Sequence, residues 1–547
     1  MSEGSKTEER PQRPGTLKSL ALAMASWRTA SVTLLSFSSG LPLGLVWIAI
    51  PDWLRSAGVD IRIVGLVTLA QAPWSFKFLW SPLMDRYVPP FWGRRRGWMA
   101  LAQVALFATT LALAGLGSHP EAAWVVGALA MAVAFSAATQ DIAIDAYSVE
   151  VLRKEEQGVA VGARVALYRA AMFIAGSAAI TLAGRISWSI VVIGLALLYI
   201  PLLLITRFAP EPEERVPPPK SLKDAVWYPF VGFLNRHRAL EILAFVFAYK
   251  LADNLGGSLL RPFLVDMGYS ALHRGVALGT IGLFGTIIGT LIGGAWTTVL
   301  GLGRALWIFG VVQIVSNVGY VLVARAGAPN ELLMYSAIGF EQVTQGLGTG
   351  AFSVLLLRLT QKRFSATQFA LLSSLFSIPR VVAGPISGYA VHALGWEQFF
   401  WVTMVAGIPG LLLLARFVPL GVKDPNFDVE PAARPASRAM SRGALATAAV
   451  LAGVAGIVLG GLTTALLAAM QAVRTNPTAG FDFGAALNTT LHPATVTDWV
   501  TLGGIVIFGL VVGLLTAAAL AARSGAFYIP EEEAPPAAPS TGAAQAR

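Results

Sequence analysis

The sequence predicts an all-α polytopic membrane protein built from two six-helix bundles and two additional C-terminal transmembrane helices. The 547-residue chain has a mean hydropathy of +0.65, with 55% hydrophobic and 13% charged residues. A soluble protein of this size could not bury so much apolar surface. The apolar runs approach the roughly 20 residues of a spanning helix and exceed the roughly 10 of a spanning strand. An internal repeat then indicates two related halves.

The repeat joins an apolar stretch of the first half to one of the second. Six positions recur at an offset of 205 residues and three recur at an offset of 208. The pairs are Thr139/Thr344, Gln140/Gln345, Ala146/Ala351, Tyr147/Phe352, Ser148/Ser353, Val149/Val354, Ala175/Ala383, Gly176/Gly384 and Trp188/Trp396. Only the first copy carries Asp141 and Asp145, and their i,i+4 spacing places both carboxylates on one helical face. The functional site is therefore expected near these two carboxylates, where the two copies of the repeat differ.

Composition divides the chain into seven segments. They are a cytoplasmic tail at 1–28, a bundle at 29–206, a cytoplasmic linker at 207–238, a bundle at 239–417, a linker at 418–442, two additional helices with a periplasmic loop at 443–522, and a disordered tail at 523–547. Spans of the first bundle are predicted near 29–50, 63–83, 98–116, 122–148, 165–183 and 186–206. Those of the second are predicted near 240–260, 275–300, 305–324, 332–357, 366–391 and 399–417, with two more near 443–472 and 499–522.

Loop charges predict the orientation of the chain. The even-numbered loops, with the segment after the twelfth span, hold roughly 22 Lys and Arg residues, against roughly 6 in the odd-numbered loops. Both termini are therefore expected in the cytoplasm. The formal charge of +10 is interpreted as this topology signal, and no nucleic-acid partner is expected. The first apolar run lacks a small-residue cleavage site and is interpreted as a retained span.

Motifs of enzymes and cofactor sites are missing from the sequence. There is no cysteine for thiolate chemistry, no Gly-Lys-Ser/Thr phosphate loop, no Gly-x-Ser-x-Gly and no His-Glu-x-x-His. The five histidines fall in loops or at span ends without metal-ligand spacing. We expect no enzyme activity, cofactor or metal, and ATP-driven pumping by this chain is disfavoured.

Ionisable residues inside spans cost several kcal/mol unless they are paired or hydrated, so they indicate a functional site. They are Lys77, Asp141, Asp145, Arg169, Lys250, Asp253, Glu341 and Arg380. Asp141, Asp145, Asp253 and Glu341 are the predicted proton-coupling residues. Other interpretations remain open: the two span 4 carboxylates pair with loop arginines, and Lys250 neutralises Asp253. Lys77 snorkels or joins a span 4 carboxylate, and Arg380 binds an anion or pairs with Glu341.

A charged cluster between spans 2 and 3 predicts a cytoplasmic gate. Its members are Asp85, Arg86, Arg94, Arg95 and Arg96. Such a cluster can pair with the other half in one conformation and release it in another. The repeat and the intramembrane charges together predict two bundles that rock about a site lined by spans 1, 4, 7 and 10.

Five motifs stand out along the chain: Phe78-Leu79-Trp80-Ser81-Pro82-Leu83-Met84-Asp85-Arg86-Tyr87, Gly93-Arg94-Arg95-Arg96-Gly97-Trp98, Gln140-Asp141-Ile142, Tyr249-Lys250-Leu251-Ala252-Asp253 and Phe364-Ser365-Ala366-Thr367-Gln368-Phe369. Together they resemble the AmpG muropeptide permeases of the major facilitator superfamily, over about 29–417. The resemblance implies the major facilitator fold and a multi-pass protein of the bacterial inner membrane. It also implies proton-driven import of anhydromuropeptides, GlcNAc-anhydroMurNAc with or without a stem peptide, for cell-wall recycling.

The resemblance also suggests a substrate site. Its residues would be Lys77, Gln140, Tyr147, Tyr249, Lys250, Gln345 and Arg380. Carboxylates of the muropeptide would bind Lys250 and Arg380, and its sugar rings would stack on Tyr147 and Tyr249. Tyr147-Ser148-Val149-Glu150 departs from the Trp-Lys-Thr-Asp of closer relatives. Transport of another bulky anionic solute such as acetyl-CoA, or a membrane sensor that does not transport, are the alternatives.

Overall fold

The computed structural model describes residues 25–59, 64, 67–116, 122–213, 217–234, 238–425, 440–476 and 480–523. Within these ranges the chain is helical and contains no β-strand. The predicted all-α fold is confirmed.

The first half consists of long helices with one broken segment. The helices are α1 Trp27–Ser56, α2 Ala72–Phe76, α3 Ser81–Arg86, α4 Arg94–Gly115, α5 Ala123–Val151, α6 Gln157–Ala183 and α7 Trp188–Phe208. The predicted second span is broken, because a 3-10 turn at Lys77–Leu79 separates α2 from α3. Pro73 and Pro82 stand in the first turns of α2 and α3, where the missing N–H of proline is tolerated.

The second half repeats this plan after a short linker helix, α8 Leu222–Leu234. Its seventh predicted span is divided into α9 Ala239–Ala248, α10 Leu251–Ser258 and α11 Leu260–Asp266. The remaining helices are α12 Leu272–Leu300, α13 Leu302–Arg325, α14 Glu331–Leu359, α15 Ser365–Leu394 and α16 Trp396–Phe417. The C-terminal region holds α17 Arg442–Thr475, α18 Phe483–Leu491 and α19 Val496–Arg523.

Ten helices of the described chain are long and apolar enough to cross a membrane. The broken second and seventh segments and the helices α14 and α15 do not meet that criterion, although the sequence predicted them as spans. These four carry most of the intramembrane charges, including Lys77, Lys250 and Glu341, and α14 also contains several glycines. The segments with the weakest membrane signal are therefore those that carry most of these charges.

Glycines set the closest helix crossings within each half. A Cβ on Gly44 of α1 would lie 2.8 Å from the backbone nitrogen of Gly176 in α6, and one on Gly293 of α12 would lie 2.7 Å from the Cα of Leu347 in α14. Gly293 therefore lets the backbones of α12 and α14 approach closely. The repeat is also visible at helix starts, since Gly93 before α4 and Gly301 before α13 have φ values of +80° and +83°. Only glycine adopts such values freely.

The two halves contact each other through α6 with α12 and through α15 with α3 and α5. We call the end of the molecule where the C-terminus of α5 meets the N-terminus of α15 the gate end. The additional helices are packed against the core, α17 against α15 and α19 against the linker helix α8. Phe230 and Val231 of α8 and Ala518 of α19 form a small buried cluster there.

Candidate functional site

A buried charge cluster joins three helices of the first half. Lys77 lies in the turn after α2, and its Nζ is 3.1 Å from Oδ2 of Asp145 on α5. The guanidinium of Arg164, on α6, pairs with the other oxygen of the same carboxylate. The exposed side-chain fractions are 10% for Lys77, 6% for Asp145 and 20% for Arg164. Arg164 is therefore the member that is most open.

Asp141 lies one helical turn from Asp145 and is bonded to a tryptophan. The indole Nε1 of Trp74, on α2, donates to Oδ2 of Asp141 at 3.1 Å. The Trp74 ring makes an edge contact with Trp47 of α1, with ring centroids 5.9 Å apart. Next to Asp141, the buried Gln140 accepts a hydrogen bond from the hydroxyl of Ser38 at 2.9 Å. The predicted span 4 residues thus lie against α1 and α2.

The second half has its own buried pair in the broken seventh segment. The Nζ of Lys250 donates to Oδ2 of Asp253 at 2.9 Å and to Oε1 of Gln313, on α13, at 3.2 Å. The amide of Gln313 donates back to Asp253. Lys250 and Asp253 therefore pair with each other, as the neutralising interpretation predicted.

Glu341 of α14 is held by neutral donors. The hydroxyl of Tyr320 donates to its carboxylate at 2.9 Å, and the amide of Gln342 donates at 2.7 Å. Among the described residues Glu341 forms no salt bridge. Arg380, its predicted partner, belongs to α15, but the side chain of Arg380 lies outside the described part of the structure. Gln345 is half-buried on the same helix as Glu341.

The two tyrosines expected to stack on sugar rings are packed inside their own halves. Tyr147 has no exposed surface, and its hydroxyl donates to the carbonyl of Pro210 at 2.7 Å. Tyr249 is stacked on Phe352 with centroids 5.4 Å apart, and its hydroxyl donates to the carbonyl of Leu306 at 3.1 Å. Neither ring presents a free face in this conformation.

At the gate end, Asp85 of the first half accepts hydrogen bonds from the start of α15 in the second half. The backbone N–H of Thr367 donates to Asp85 at 2.9 Å, the Thr367 hydroxyl at 2.7 Å, and the N–H of Ala366 at 3.3 Å. A carboxylate at a helix N-terminus is stabilised by the free N–H groups and by the helix dipole. The contact between halves is therefore electrostatic here.

Arg95 connects this contact to a second carboxylate. It pairs with Asp85 at 2.6 Å and with Glu150 at 2.7 Å, and it donates to the hydroxyl of Ser365 on α15 at 2.7 Å. Ser365 donates in turn to Glu150 at 2.5 Å, and Arg94 pairs with Glu150 at 2.9 Å. Asp85, Arg94 and Arg95 thus belong to one network that bridges the halves.

Two of the predicted gate residues do not join that network. Arg96 bonds to the carbonyl of Ala209 at 2.9 Å and pairs with Glu211, both in the segment after α7 of its own half. The guanidinium of Arg86 lies 5.6 Å from the ring centroid of its neighbour Tyr87. The described contacts of Arg86 and Arg96 thus lie within the first half and the segment after α7, and not between the halves.

The site also contains five residues that the sequence pattern did not predict: Glu150, Arg164, Gln313, Ser365 and Thr367. Arg164 was not counted among the charges inside spans because the predicted fifth span began at Val165, whereas α6 begins at Gln157. A search of the ionisable residues with the helix start eight residues earlier would have included it. Ser365 and Thr367 carry no charge, and only the fold shows that they lie in the first turn of α15 beside Arg95 and Asp85.

Comparison with known proteins gives consistent results. The profile of the Major Facilitator Superfamily matches residues 32–366. The chain is 41% identical over 389 residues to the anhydromuropeptide permease of Escherichia coli K12, which covers 71% of this chain and 79% of that protein. It is 36% identical over 395 residues to an uncharacterized protein of Haemophilus influenzae, with 70% and 93% covered. It is 29% identical over 400 residues to the putative transporter AmpG 4 of Rickettsia felis, with 71% and 96% covered.

Solved structures share the fold at low sequence identity. The proton:xylose symporter XylE has a TM-score of 0.56 and 12% identity, covering 74% of this chain and 98% of that one. The human organic anion transporter MFSD10 has a TM-score of 0.51 and 15% identity, covering 74% and 100%. These likenesses establish the shared architecture.

Proposed function

The chain belongs to the major facilitator superfamily, among the AmpG-type permeases, and from this we propose that it imports anhydromuropeptides from the periplasm to the cytoplasm in symport with protons. The observation that carries the proposal is the 41% identity to the anhydromuropeptide permease of Escherichia coli over 71% of this chain. The membrane would be the bacterial inner membrane, with both termini in the cytoplasm.

The proposal assigns alternating access to the two halves. Buried polar clusters lie in both, around Asp145 in the first and around Asp253 in the second. A site between two related bundles, with a gate that closes at one end, is the arrangement that alternating access requires. The network of Asp85, Arg95 and Ser365 would be the cytoplasmic gate in its closed form.

Proton coupling is assigned to the carboxylates inside the helices. Asp141 and Glu341 are bonded by neutral donors, Trp74 and Tyr320, whereas Asp145 and Asp253 are paired with lysines. A carboxyl held by neutral donors can change its protonation without breaking an ion pair. Asp141 and Glu341 are therefore the stronger candidates among the four.

The test is uptake of labelled GlcNAc-anhydroMurNAc into right-side-out vesicles that carry this protein, with and without an imposed inward proton gradient. We expect accumulation with the gradient and only equilibration without it. Amide variants of Asp141 and Glu341 should each be compared with the parent in accumulation and in exchange at equal pH. Uptake indistinguishable from that of protein-free vesicles would contradict the substrate, and equal accumulation without a gradient would contradict the coupling.

A further inference from the structure

The cluster around Asp145 contains more positive than negative partners. Lys77 and Arg164 both pair with the one carboxylate of Asp145. Without Asp141 the three groups carry a formal charge of +1. An uncompensated charge inside a spanning segment costs several kcal/mol, so the cluster requires a second anion.

Asp141 is the nearest candidate for that second anion. It lies on the same helical face as Asp145, one turn away, and the charges of Lys77 and Arg164 both act on it. The other groups that face Asp141 are the indole of Trp74, the hydroxyl of Ser39 on α1, and Tyr199 on α7. With Asp141 ionised the four charged groups sum to zero. When Asp141 takes up a proton, the sum becomes +1.

Arg164 is placed to accept an anion from outside the protein. Its side chain is 20% exposed, twice the fraction of Lys77 and three times that of Asp145. A guanidinium has five N–H donors, and in the described structure Arg164 uses them toward Asp145 and, at 3.5 Å, toward Ser148. A charged group is costly in lipid, so the exposed part of Arg164 favours water or an anionic ligand as its neighbour.

We propose that Arg164 binds a carboxylate of the transported solute, and that this binding is accompanied by protonation of Asp141. The proton moves from solvent to the Asp141 carboxyl, and the solute carboxylate restores the charge balance beside Arg164. Empty and loaded forms of the cluster are then both neutral. The inference rests on the proposed function, and it explains how an anion and a proton cross together with no net charge left in the helices.

The decisive measurement uses the parent protein, purified at full length in lipid nanodiscs, at a pH where Asp141 is ionised in the empty form. Two probes are compared: GlcNAc-anhydroMurNAc, which carries a lactyl carboxylate, and the same disaccharide with that carboxylate converted to its methylamide. In weak buffer we expect uptake of about one proton for each bound acid and none for each bound amide. Equal proton uptake with both probes would overturn the proposal.

Variants then assign the residues. Arg164→Gln should weaken binding of the acid by about tenfold or more, as expected for loss of a charge-assisted contact, and should leave binding of the amide unchanged. Asp141→Asn should bind the acid without proton uptake. Arg185→Gln, an exposed arginine in the turn between α6 and α7, is the matched control and should bind as the parent does.

The outcomes separate this inference from the proposed function. If neither probe binds the parent, the muropeptide assignment fails. If both probes bind but Arg164→Gln weakens them equally, or Asp141→Asn still takes up a proton with the acid, the assignment of these two residues fails while the substrate stands. Should Arg164→Gln not fold, the proton-uptake comparison on the parent decides alone.

Discussion

The two halves of the molecule meet at two places that the internal repeat relates, and the two places are built differently. In one, the end of the second segment of the first half meets the start of α15 through Asp85, Arg95 and Ser365. In the other, the end of α12 in the second half meets the start of α6. There, Gly158 and Gly162 face Gly294, and a Cβ on Gly294 would lie 2.8 Å from the Cα of Gly162.

The internal repeat shows at which equivalent positions the two contacts between the halves differ. Gly93 and Gly301 are equivalent at the offset of 208 residues and start their helices with the same positive φ. Two positions later the first half has Arg95, the centre of the charged network, and the second half has Gly303. Gly303 packs against the chain after α16, where its N–H donates to the carbonyl of Lys423 at 2.9 Å.

The difference shows two physical ways to hold the two halves together. Hydrogen bonds to charged groups can be exchanged for water when the halves separate, so the charged contact depends on which groups are ionised. A glycine crossing depends on shape, because small residues let two backbones approach closely. One contact should thus respond to removal of charge and the other to addition of volume.

The largest effect is expected from Asp85→Ala. This change removes the acceptor of three donors on α15 and one counter-ion of Arg95, and loss of a buried ionic partner should destabilise the closed contact by about 3 kcal/mol. The chain has no cysteine, so spin labels at Glu155→Cys and Leu420→Cys report the separation of the halves. The distance should lengthen. Asp52→Ala, at an exposed position of α1, is the control, and an unchanged distance in Asp85→Ala would refute the charged gate.

A somewhat smaller effect is expected from Gly294→Leu. The new side chain must occupy space taken by the backbone of α6, and overpacking of this kind costs about 1–3 kcal/mol. The same label pair should show a longer distance, and muropeptide uptake should fall. Gly279→Leu, in the same helix at a position where an added Cβ meets open space, should leave both unchanged. If the two variants behave alike, the effect comes from placing leucine anywhere in α12 and not from the close contact between α6 and α12.

The smallest effect is expected from Asp424→Asn, which lies near the glycine contact between α6 and α12. Arg358 pairs with Asp424 at 2.7 Å and also donates to Gln157 at the start of α6. Partial burial raises the pKa of the Asp424 carboxyl, but the hydrogen bond and charge of Arg358 lower it more, so the pKa lies below its ordinary value. An exposed pair of this kind contributes about 0–1 kcal/mol.

A lowered pKa fixes the sign of the pH dependence. The stabilisation by Asp424 is complete above its ordinary pKa of about 4 and is lost as the pH falls through the lower folded value. Parent and Asp424→Asn should therefore differ slightly in label distance at about pH 7 and converge as the pH falls below the lowered pKa of Asp424. A difference that grows on acidification would show that another group controls this contact.

The sequence by itself determined the fold class, the two related halves and most of the charged residues of the site. Apolar runs long enough to span a bilayer can form only helices, and a charge inside such a run is costly enough to indicate function. Lys77, Asp145, Lys250 and Asp253 were found in this way, and the possible pairing of Lys250 with Asp253 followed from their spacing along one helix.

Tertiary structure alone decided which charges meet. Asp85 and Thr367 are 282 positions apart, and Lys77 and Asp145 are 68 apart, so no local pattern in the chain could join them. Tertiary structure also decided the position of the tyrosines. Tyr147 and Tyr249 have aromatic rings that could stack on a sugar, yet packing against neighbouring helices buries both rings. The pairing of Arg164 with Asp145 was likewise decided by tertiary structure, because it depends on how α6 lies against α5. Helix packing is set by side chains that are distant in sequence.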